Sequence, residues 1–332
     1  MQDRKLPQRS FLKSLLVGTI TGLGVIVTAV SLAAYVQNVW VCDMFSQFRL
    51  AYAVILIVFL AALLLLRSRV GSSIILIGAI ISAVPIFSMY MKGDCSSAKE
   101  SQIIGVLNFN TEFQHNDRYD LLAKLVNERD PDIFALVEIN QKWIDAIEPT
   151  TRRFPHTKVF IVGPGLALFS KFPIEKCEVR YFGKSHHPRI YATLLVHGRP
   201  VQIVIAHPTT PQSEAGFIER NQEMSLIHDE VQALPSPKIL IGDLNCGPWS
   251  PAFRHLLTAG LKDSEQGFGP QPSWPARNGR VQEGWAIPPF VPIDHILVSS
   301  DICVKSRAAG PGMESDHLPV FVKMAFASQP HR

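Results

Sequence analysis

The chain has 332 residues, enough for one large domain and a smaller additional part. Its net charge of +4 is uneven: residues 1–92 hold 8 Lys and Arg against 2 Asp and Glu, and the rest hold 24 against 26. The slightly acidic larger part argues against general polyanion binding, although a local basic patch remains compatible with it. Five cysteines without CxxC or Cys/His spacing argue against a zinc site.

Three stretches in the first part contain no Asp, Glu, Lys or Arg, namely residues 14–42, 50–66 and 70–91. A bilayer-spanning helix needs ~20 apolar residues, so each stretch is predicted to be a transmembrane helix, the second being only just long enough. A buried hairpin of core helices is the alternative. The run Ile-Val-Phe-Leu-Ala-Ala-Leu-Leu-Leu-Leu favours the membrane because it is too continuously apolar for an amphipathic helix.

Basic residues in the short flanks predict the orientation. Four precede the first stretch, one follows it, two lie between the second and third, and two follow the third. The positive-inside rule then places the N-terminus in the cytoplasm and everything after about Gly93 on the extracytoplasmic side of the cell membrane. The basic flank and Ala33-Ala34 also fit a cleaved signal peptide, but the apolar run is too long and two more follow, so we expect a retained multi-pass anchor over residues 1–92.

Cys42 and Cys95 both fall just past predicted outer ends of these spans. A disulfide between them outside the cell and a chance placement of two thiols both remain open.

A polar linker over residues 93–101 precedes a mixed pattern of strands and helices over residues 102–326. Apolar runs between turn signals predict strands at Ile103–Leu107, Ile133–Val137, Ala167–Phe169, Ala192–Val196, Val201–Ala206, Ile239–Ile241, Ile293–Val298 and Leu318–Val322. Helical patterns are present at Tyr119–Arg129, Phe217–Leu234 and Pro251–Ala259. This alternation predicts a layered α/β domain.

Several of these strands end in polar side chains. Asp243 and Asn245 follow Lys-Ile-Leu-Ile-Gly, and residues i and i+2 share one face of an extended chain, so both can point at one spot. Asp and Asn are also common turn residues, which is the bland alternative. The domain contains four short polar motifs beside apolar runs: Ala-Leu-Val-Glu138, Gly-Asp243-Leu-Asn245, Ile-Asp294-His295 and Ser-Asp316-His317. All four carry side chains of metal-ligand or acid/base type, which favours a metal-dependent hydrolase.

Two Asp-His pairs occur near the C-terminus. Asp316-His317 lies at the entry to a strand, where a cap or turn is the alternative role. Asp294-His295 begins another strand, and Asp294 is a candidate to hold the tautomer of His317. His295 is expected to be structural.

Single polar residues end three further apolar runs: Glu138 after Ile-Phe-Ala-Leu-Val, Asn110 after Gly-Val-Leu-Asn-Phe, and His207 after Val-Gln-Ile-Val-Ile-Ala. A carboxylate at the end of an apolar strand is costly unless it is ionised against a metal or a base. Each of these residues taken alone could equally be an ordinary polar strand end.

Together these residues resemble the endonuclease/exonuclease/phosphatase superfamily over roughly residues 102–326. Gly-Asp-Leu-Asn and Ser-Asp-His-Leu-Pro form a specific pairing, while Gly-Pro-Trp-Ser-Pro-Ala-Phe, Pro-Ser-Trp-Pro and the three spans resemble the membrane-anchored VanJ-type teicoplanin-resistance branch. The resemblance implies an α/β fold in which three N-terminal transmembrane helices precede a four-layer sandwich of two packed β-sheets flanked by helices. It also implies Mg²⁺ (or Mn²⁺) dependent phosphoester hydrolysis.

The resemblance implies a metal site. Glu138 would be the principal ligand, with Asn110 and Asp316 near the ion; Asn108 is the alternative to Asn110. Magnesium prefers oxygen ligands and needs only one or two carboxylates, which agrees with this set.

The resemblance also implies catalytic and substrate-binding roles. Asp243 would orient or deprotonate the attacking water, and Asn245 would help to position it and bind phosphate. His317, paired with Asp294, would contact the phosphate or stabilise developing charge, and His207 would donate to a phosphate oxygen.

The sequence departs from the family pattern before Ile-Asp, where many relatives have Arg and this chain has Pro292. One phosphate contact is therefore in doubt. Arg189 is a candidate substrate-binding replacement, and a surface salt bridge is the alternative.

These observations favour a membrane-anchored phosphohydrolase acting on a phosphorylated substrate, with a lipid diphosphate such as undecaprenyl diphosphate as the candidate. Trp274, Trp285 and Phe290, in the loop from Gly267 to Pro292, could face the bilayer or pack beneath the loop. The alternatives are a membrane-bound nuclease, for which the charge and the anchor argue against a nucleic acid partner, a sphingomyelinase-like phospholipase, and a non-enzymatic module of the same fold. The oligomeric state is left open.

Overall fold

The computed structural model describes residues 6–93, 102–182, 187–276 and 289–327, and divides the chain into two units. The first unit contains four helices: α1 (Leu6–Ala33), α2 (Trp40–Ser46), α3 (Arg49–Leu65) and α4 (Arg69–Ser88). Phe11–Ala33 and Arg69–Ser88 are each long and apolar enough to cross a membrane. A third span results only if α2 and α3, which are bent by 66°, count as one. Two or three candidate spans thus stand where three were predicted.

The first predicted span differs from the structure at its end. Residues 14–42 contain no charged residue, but α1 stops at Ala33 and a new helix begins at Trp40. Helix α2 then contains Asp43 in its first turn. Composition alone did not reveal this break because no charged residue or proline marks it.

The second unit contains two six-stranded sheets. The first sheet has the order β11-β12-β1-β2-β4-β3, and its strands in chain order are β1 (Ile104–Asn110), β2 (Ile133–Ile139), β3 (His156–Phe160), β4 (Gly165–Ser170), β11 (Ile302–Ala309) and β12 (Val320–Phe326). The second has the order β5-β6-β7-β8-β10-β9, with β5 (Ile174–Tyr181), β6 (Pro188–Val196), β7 (Arg199–Ala206), β8 (Lys238–Asp243), β9 (Leu261–Asp263) and β10 (Asp294–Ser299). Both are mixed, because β1–β2 and β7–β8 are parallel while the other pairs are antiparallel.

The sheets pack face to face, with helices outside each. The central core combines inward side chains of both sheets, such as Val106 and Ile241. A second cluster joins the first sheet to α5 (Tyr119–Arg129) and α6 (Gln141–Thr151), and a third joins the second sheet to α7 (Glu214–Ala233) and α8 (Pro251–Leu257). The predicted architecture of two packed sheets flanked by helices is confirmed.

The sequence-based assignment missed five elements, β3, β5, β9, β11 and α6. Strands β3 and β5 lie at sheet edges, where partly exposed side chains replace the apolar run of a central strand. Strand β9 has three residues. Helix α6 contains Pro149, but Asn140 caps its N-terminus by accepting a hydrogen bond from the backbone N–H of Trp143 (3.0 Å).

Cys42, Cys177 and Cys246 are not in disulfide bonds, whereas Cys303 is. The disulfide between Cys42 and Cys95, one of two possibilities that the sequence left open, is therefore not formed. Cys95 lies outside the described residues, as do the rest of the linker from residue 94 to 101 and Trp285.

Candidate active site

Strand alternation brings four of the predicted polar residues to one edge of the inner face. Asn110 continues the inward series of Val106 on β1, and Asp243 continues that of Ile239 and Ile241 on β8. His207, the residue after β7, and Asp294, the first residue of β10, follow the same two-residue period. Asp243 and Asp294 are also direct cross-strand partners. The polar strand ends of the two sheets therefore meet at one buried location.

Glu138 reaches this location by a different route. Ile133, Ala135 and Val137 face the inner core, so regular alternation would turn Glu138 towards the helices. Its backbone instead has φ of 54°, and the register of β2 against β4 shifts between Val137 and Ile139. This β-bulge re-aims the carboxylate inward.

Asn245 is also placed by a turn rather than by a strand. Strand β8 ends at Asp243, and Asn245 has φ of 51°. Its backbone N–H donates to Asp243 Oδ1 (2.9 Å), and its side-chain Nδ2 donates to the carbonyl of Pro208 (2.9 Å). The expectation that the two side chains share a face of an extended chain was wrong in its geometry, although the two residues are in direct contact.

Asn110 links the two carboxylates. Its Nδ2 lies 3.0 Å from Glu138 Oε1 and 3.0 Å from Asp243 Oδ2, while its Oδ1 accepts a hydrogen bond from the backbone N–H of Glu112 (3.0 Å). Asn108 is fully buried on the same strand face, but its amide makes no hydrogen bond to any described residue. Of the two asparagines considered, Asn110 is therefore the one in contact with the carboxylates.

His317 and Asp294 form a buried pair. His317 Nδ1 donates to Asp294 Oδ2 (2.7 Å), and His317 Nε2 lies 3.6 Å from Asp243 Oδ2. Burial alone would lower the pKa of His317, but the carboxylates of Asp294 and Asp243 raise it to about 10. The imidazolium form is therefore favoured at neutral pH.

Asp243 and His207 complete the charge balance. Burial would raise the pKa of Asp243, but His317 and His207 lower it well below its usual range, so Asp243 stays ionised. His207 Nε2 lies 3.4 Å from Glu138 Oε1 and 3.5 Å from Asp243 Oδ2. Burial alone would lower the pKa of His207, yet these carboxylates raise it. Neither ring nitrogen of His207 has hydrogen-bond geometry to a described residue.

Glu112 and Trp274 contact Asp316 and were not predicted as site residues. Glu112 Oε2 accepts a hydrogen bond from the backbone N–H of Asp316 (2.7 Å), and Trp274 Nε1 donates to Asp316 Oδ2 (3.0 Å). Burial and the charge of Asp316 raise the pKa of Glu112. The position of Glu112 two residues after Asn110 was the only available sequence signal, and the contact of Trp274 depends on a long-range loop.

Arg189 is not part of the site, so the prediction that it binds substrate is wrong. It points to the opposite face of the second sheet, is 3% exposed, and lies 3.6 Å from Glu230 of α7. Alternation explains this placement, because its neighbour Ile190 faces the inner core. His295 is buried against Phe253 and lies 2.9 Å from the carbonyl of Cys246, which agrees with its expected structural role.

Hydrogen bonds to the neighbouring backbone hold the His317–Asp294 pair in place. Ser273 Oγ accepts a hydrogen bond from the backbone N–H of Asp294 (3.2 Å), and the Ser273 carbonyl accepts one from Leu318 (2.8 Å). Arg307, which is paired with Glu265 (3.1 Å) in the interior, donates to the carbonyl of Asp294 (3.1 Å).

The donor set fits a divalent cation. Donor atoms of Glu138, His207 and Asp243 lie within 4.8 Å of one another, as do those of Asp243, Asp294 and His317. The first group contains two carboxylates, Glu138 and Asp243, and carboxylates suit a hard cation. Asp316 belongs to neither group.

The family model described as Endonuclease/Exonuclease/phosphatase family matches residues 107–317. This range covers most of the two-sheet unit and every strand end of the site, so the chain belongs to this family. Members of the family are generally phosphoesterases. A search of curated proteins found no match.

Several solved structures have the same fold as this chain, including the following three. An endonuclease/exonuclease/phosphatase from Beutenbergia cavernae is 17% identical, covering 70% of this chain and 73% of that one at a TM-score of 0.56. TDP2 from D. rerio, complexed with a single-strand DNA product, is 15% identical; the match covers 67% of this chain and 98% of that one, with a TM-score of 0.56. A Bacteroides thetaiotaomicron mannosyl-6-phosphatase is 16% identical; the match covers 67% of this chain and 100% of that one, with a TM-score of 0.53. At these identities the likeness shows the fold alone.

Proposed function

We propose that this protein is a membrane-anchored, metal-dependent phosphohydrolase. The observation that carries the proposal is the contact of Asp243 with three potential catalytic groups, since its Oδ2 lies 3.0 Å from Asn110 Nδ2, 3.5 Å from His207 Nε2 and 3.6 Å from His317 Nε2. An ionised acceptor, Asp243, with imidazole donors around it at one buried point suits the transfer of a phosphoryl group to water.

A divalent cation bound near Glu138 would supply Lewis-acid stabilisation of negative charge on the phosphate. The carboxylate of Glu138 would hold it, positioned by the 3.0 Å hydrogen bond that it accepts from Asn110 Nδ2, with Mg²⁺ or Mn²⁺ the best match to oxygen donors. Asp316 would act nearby, oriented by Trp274 and by the contact of its backbone with Glu112.

Asp243 would orient the attacking water. Its lowered pKa makes it a permanent acceptor at neutral pH but a weak base, so it would align the water and receive its proton as the bond to phosphorus forms. The backbone N–H of Asn245 fixes Asp243 Oδ1, which leaves Oδ2 directed into the site.

His317 and His207 would bind the phosphate oxygens. Asp294 holds Nδ1 of His317, so the proton on Nε2 is directed towards the site, where it would offset charge developing in the transition state. His207 would donate from the opposite side. Asn245 would help to hold the phosphate.

We infer that the substrate is a lipid diphosphate, such as undecaprenyl diphosphate, hydrolysed at the outer face of the membrane in the manner of the VanJ-type branch. Support comes from the candidate spans that precede the family domain, because anchoring raises the effective concentration of a lipid headgroup. The disulfide-bonded Cys303 supports an oxidising, extracytoplasmic compartment.

The decisive experiment is a released-phosphate assay of the full-length protein in detergent against lipid diphosphates, phospholipids, nucleotides and DNA. We expect lipid diphosphate to be the best substrate, and Asp243→Ala and His317→Ala each to lower turnover by about 10²–10⁴-fold because each removes one acid/base or electrostatic group. Asp229→Ala, on the exposed surface of α7, is the matched control and should retain normal turnover.

Other outcomes would change the assignment. Near-normal turnover by either variant, with wild-type folding, would reject the catalytic scheme. Faster cleavage of DNA than of any diphosphate would identify a nuclease, and release of phosphocholine from sphingomyelin would identify a phospholipase. No turnover of any substrate class would favour a non-enzymatic module.

A further inference from the structure

The second unit, the catalytic unit, contains a cavity of about 230 Å³ that is separate from the candidate active site. Residues just after α4 form one side of it, and β9, β10 and β11 contribute the rest. Its charged lining side chains among the described residues are Lys92, Lys262, Lys305 and Asp263, a net of two positive charges. None of the residues placed in the active site is in this lining.

The chain that leaves α4 is fixed to the catalytic unit. The carbonyl of Met89 accepts hydrogen bonds from the backbone N–H groups of Gly267 (2.7 Å) and Gly269 (3.1 Å), and the carbonyl of Met91 accepts one from Gln266 Nε2 (2.7 Å). These hydrogen bonds fix the position of Lys92, which follows directly and lines the cavity.

Lys92 is held over an aromatic ring at the cavity. Its Nζ lies 5.7 Å from the centre of the Phe268 ring, a cation–π contact that positions the charge. Gly267, the residue before Phe268, has φ of 94°, and a Cβ there would lie 2.9 Å from the Lys92 side chain. This close approach therefore requires glycine.

The cavity is also close to a candidate membrane span along the chain. Lys92 comes four residues after Ser88, the last residue of the span Arg69–Ser88. Four residues extend over at most about 14 Å, so any span formed by α4 ends near this cavity. The polar headgroup layer on each side of a bilayer is roughly 5–8 Å thick, and a basic side chain near this layer attracts the phosphate of a lipid headgroup by Coulombic interaction.

We propose that this juxtamembrane cavity binds the phosphate of an anionic phospholipid headgroup, with Lys92 and Lys262 as the principal cationic contacts. Asp263 adds one negative charge to the lining, and the three lysines outnumber it. The proposal rests on the membrane anchoring in the proposed function but not on hydrolysis. The same chemistry would accept a free phosphate monoester, which the experiment separates from a lipid.

The test measures thermal unfolding of the full-length protein in a neutral detergent. Dihexanoyl phosphatidylglycerol is titrated against dihexanoyl phosphatidylcholine, glycerol phosphate and inorganic phosphate. We expect phosphatidylglycerol alone to raise the midpoint saturably. Lys92→Gln and Lys262→Gln should each weaken its apparent Kd by about fivefold, equivalent to about 1 kcal/mol per lysine.

Three comparisons make the result decisive. Lys124→Gln, on the exposed face of α5, should bind like the wild type, and Lys262→Arg should restore binding because it keeps the charge. Asp243→Ala should retain the lipid-dependent shift, so loss of hydrolysis and loss of this site are distinguishable. An unchanged Kd in both glutamine variants, or equal binding of inorganic phosphate and phosphatidylglycerol, would overturn the proposal.

Discussion

The carboxylate of Glu138 reaches the active site only because its backbone has left the strand conformation. A non-glycine residue with φ near 54° costs of the order of 1–3 kcal/mol, which the surrounding sheet must sustain. The hydrogen bond from Asn110 and the nearby His207 occupy the side chain in return. Such a conformation in the middle of an otherwise regular sheet agrees with a role as metal ligand.

Glu138→Gln keeps the shape of this side chain and removes its charge. We expect the Mg²⁺ or Mn²⁺ concentration for half-maximal hydrolysis to rise by about tenfold or more, equivalent to about 1.4 kcal/mol. A metal titration of turnover, starting from EDTA-treated protein, measures this. Glu128→Gln on exposed α5 is the matched control. Full activity in EDTA, or recovery with zinc alone, would contradict the assignment.

The buried His317–Asp294 pair predicts how stability depends on pH. The pKa of His317 is raised from its ordinary value near 6.5 to about 10, so the stabilisation it provides is complete below about pH 6.5 and is lost as the pH rises towards 10. In metal-free protein we expect the free energy of unfolding to fall over this range by at most about 1.4 kcal/mol per pH unit. His317→Gln should flatten the profile of melting midpoint against pH. Parallel profiles of the two proteins would contradict this.

At the scale of elements, the end of β8 depends on one glycine. Gly242 has φ of 153°, and a Cβ at this position would lie 1.9 Å from the carbonyl oxygen of Ala206 on β7. Only glycine lets the two parallel strands approach so closely while the chain turns to present Asp243 and Asn245.

Gly242→Ala should therefore lower both stability and activity. We expect a loss of at least about 2 kcal/mol, since backbone strain and a clash with a backbone atom act together. Gly198→Ala is the control, because Gly198 also has a positive φ of 78° but has open space around its Cβ position. Melting midpoints and turnover of both variants measure the difference. Equal small effects would show that the close contact does not limit the fold.

At the scale of the whole molecule, the two units combine different chemistry in one chain. The first offers two or three apolar helices, and the second is a member of the endonuclease/exonuclease/phosphatase family. The basic flanks predict that three crossings deliver residues 93–332 to the extracytoplasmic side. An odd number of crossings is needed for this, so the behaviour of α2 and α3 as one span decides the topology.

Reporter fusions after Arg332 test the number of crossings. We expect alkaline phosphatase to be active and green fluorescent protein to be dark, because the first folds in an oxidising compartment and the second does so poorly there. The same fusions after Arg67 should give the reverse pattern. A fluorescent C-terminal fusion would place the catalytic unit in the cytoplasm and remove the lipid-diphosphate interpretation.

The sequence by itself determined the layered α/β fold and much of the site. Apolar runs between turn signals identified the central strands, and polar residues at the ends of these runs are the ones that converge, as Asn110, His207, Asp243 and Asp294 demonstrate. This worked because burial on both faces leaves a central strand little freedom in composition. Helix α5, predicted at Tyr119–Arg129, has these bounds in the structure.

Tertiary structure alone decided the remaining features. The bulge at Glu138 and the left-handed turn at Asn245 depend on neighbouring strands, and Arg189 was assigned to the site until its side of the sheet was known. Glu112 and Trp274 reach Asp316 from positions 204 and 42 residues away in sequence. Such contacts carry no local signal, because their energy comes from groups that only the folded chain brings together.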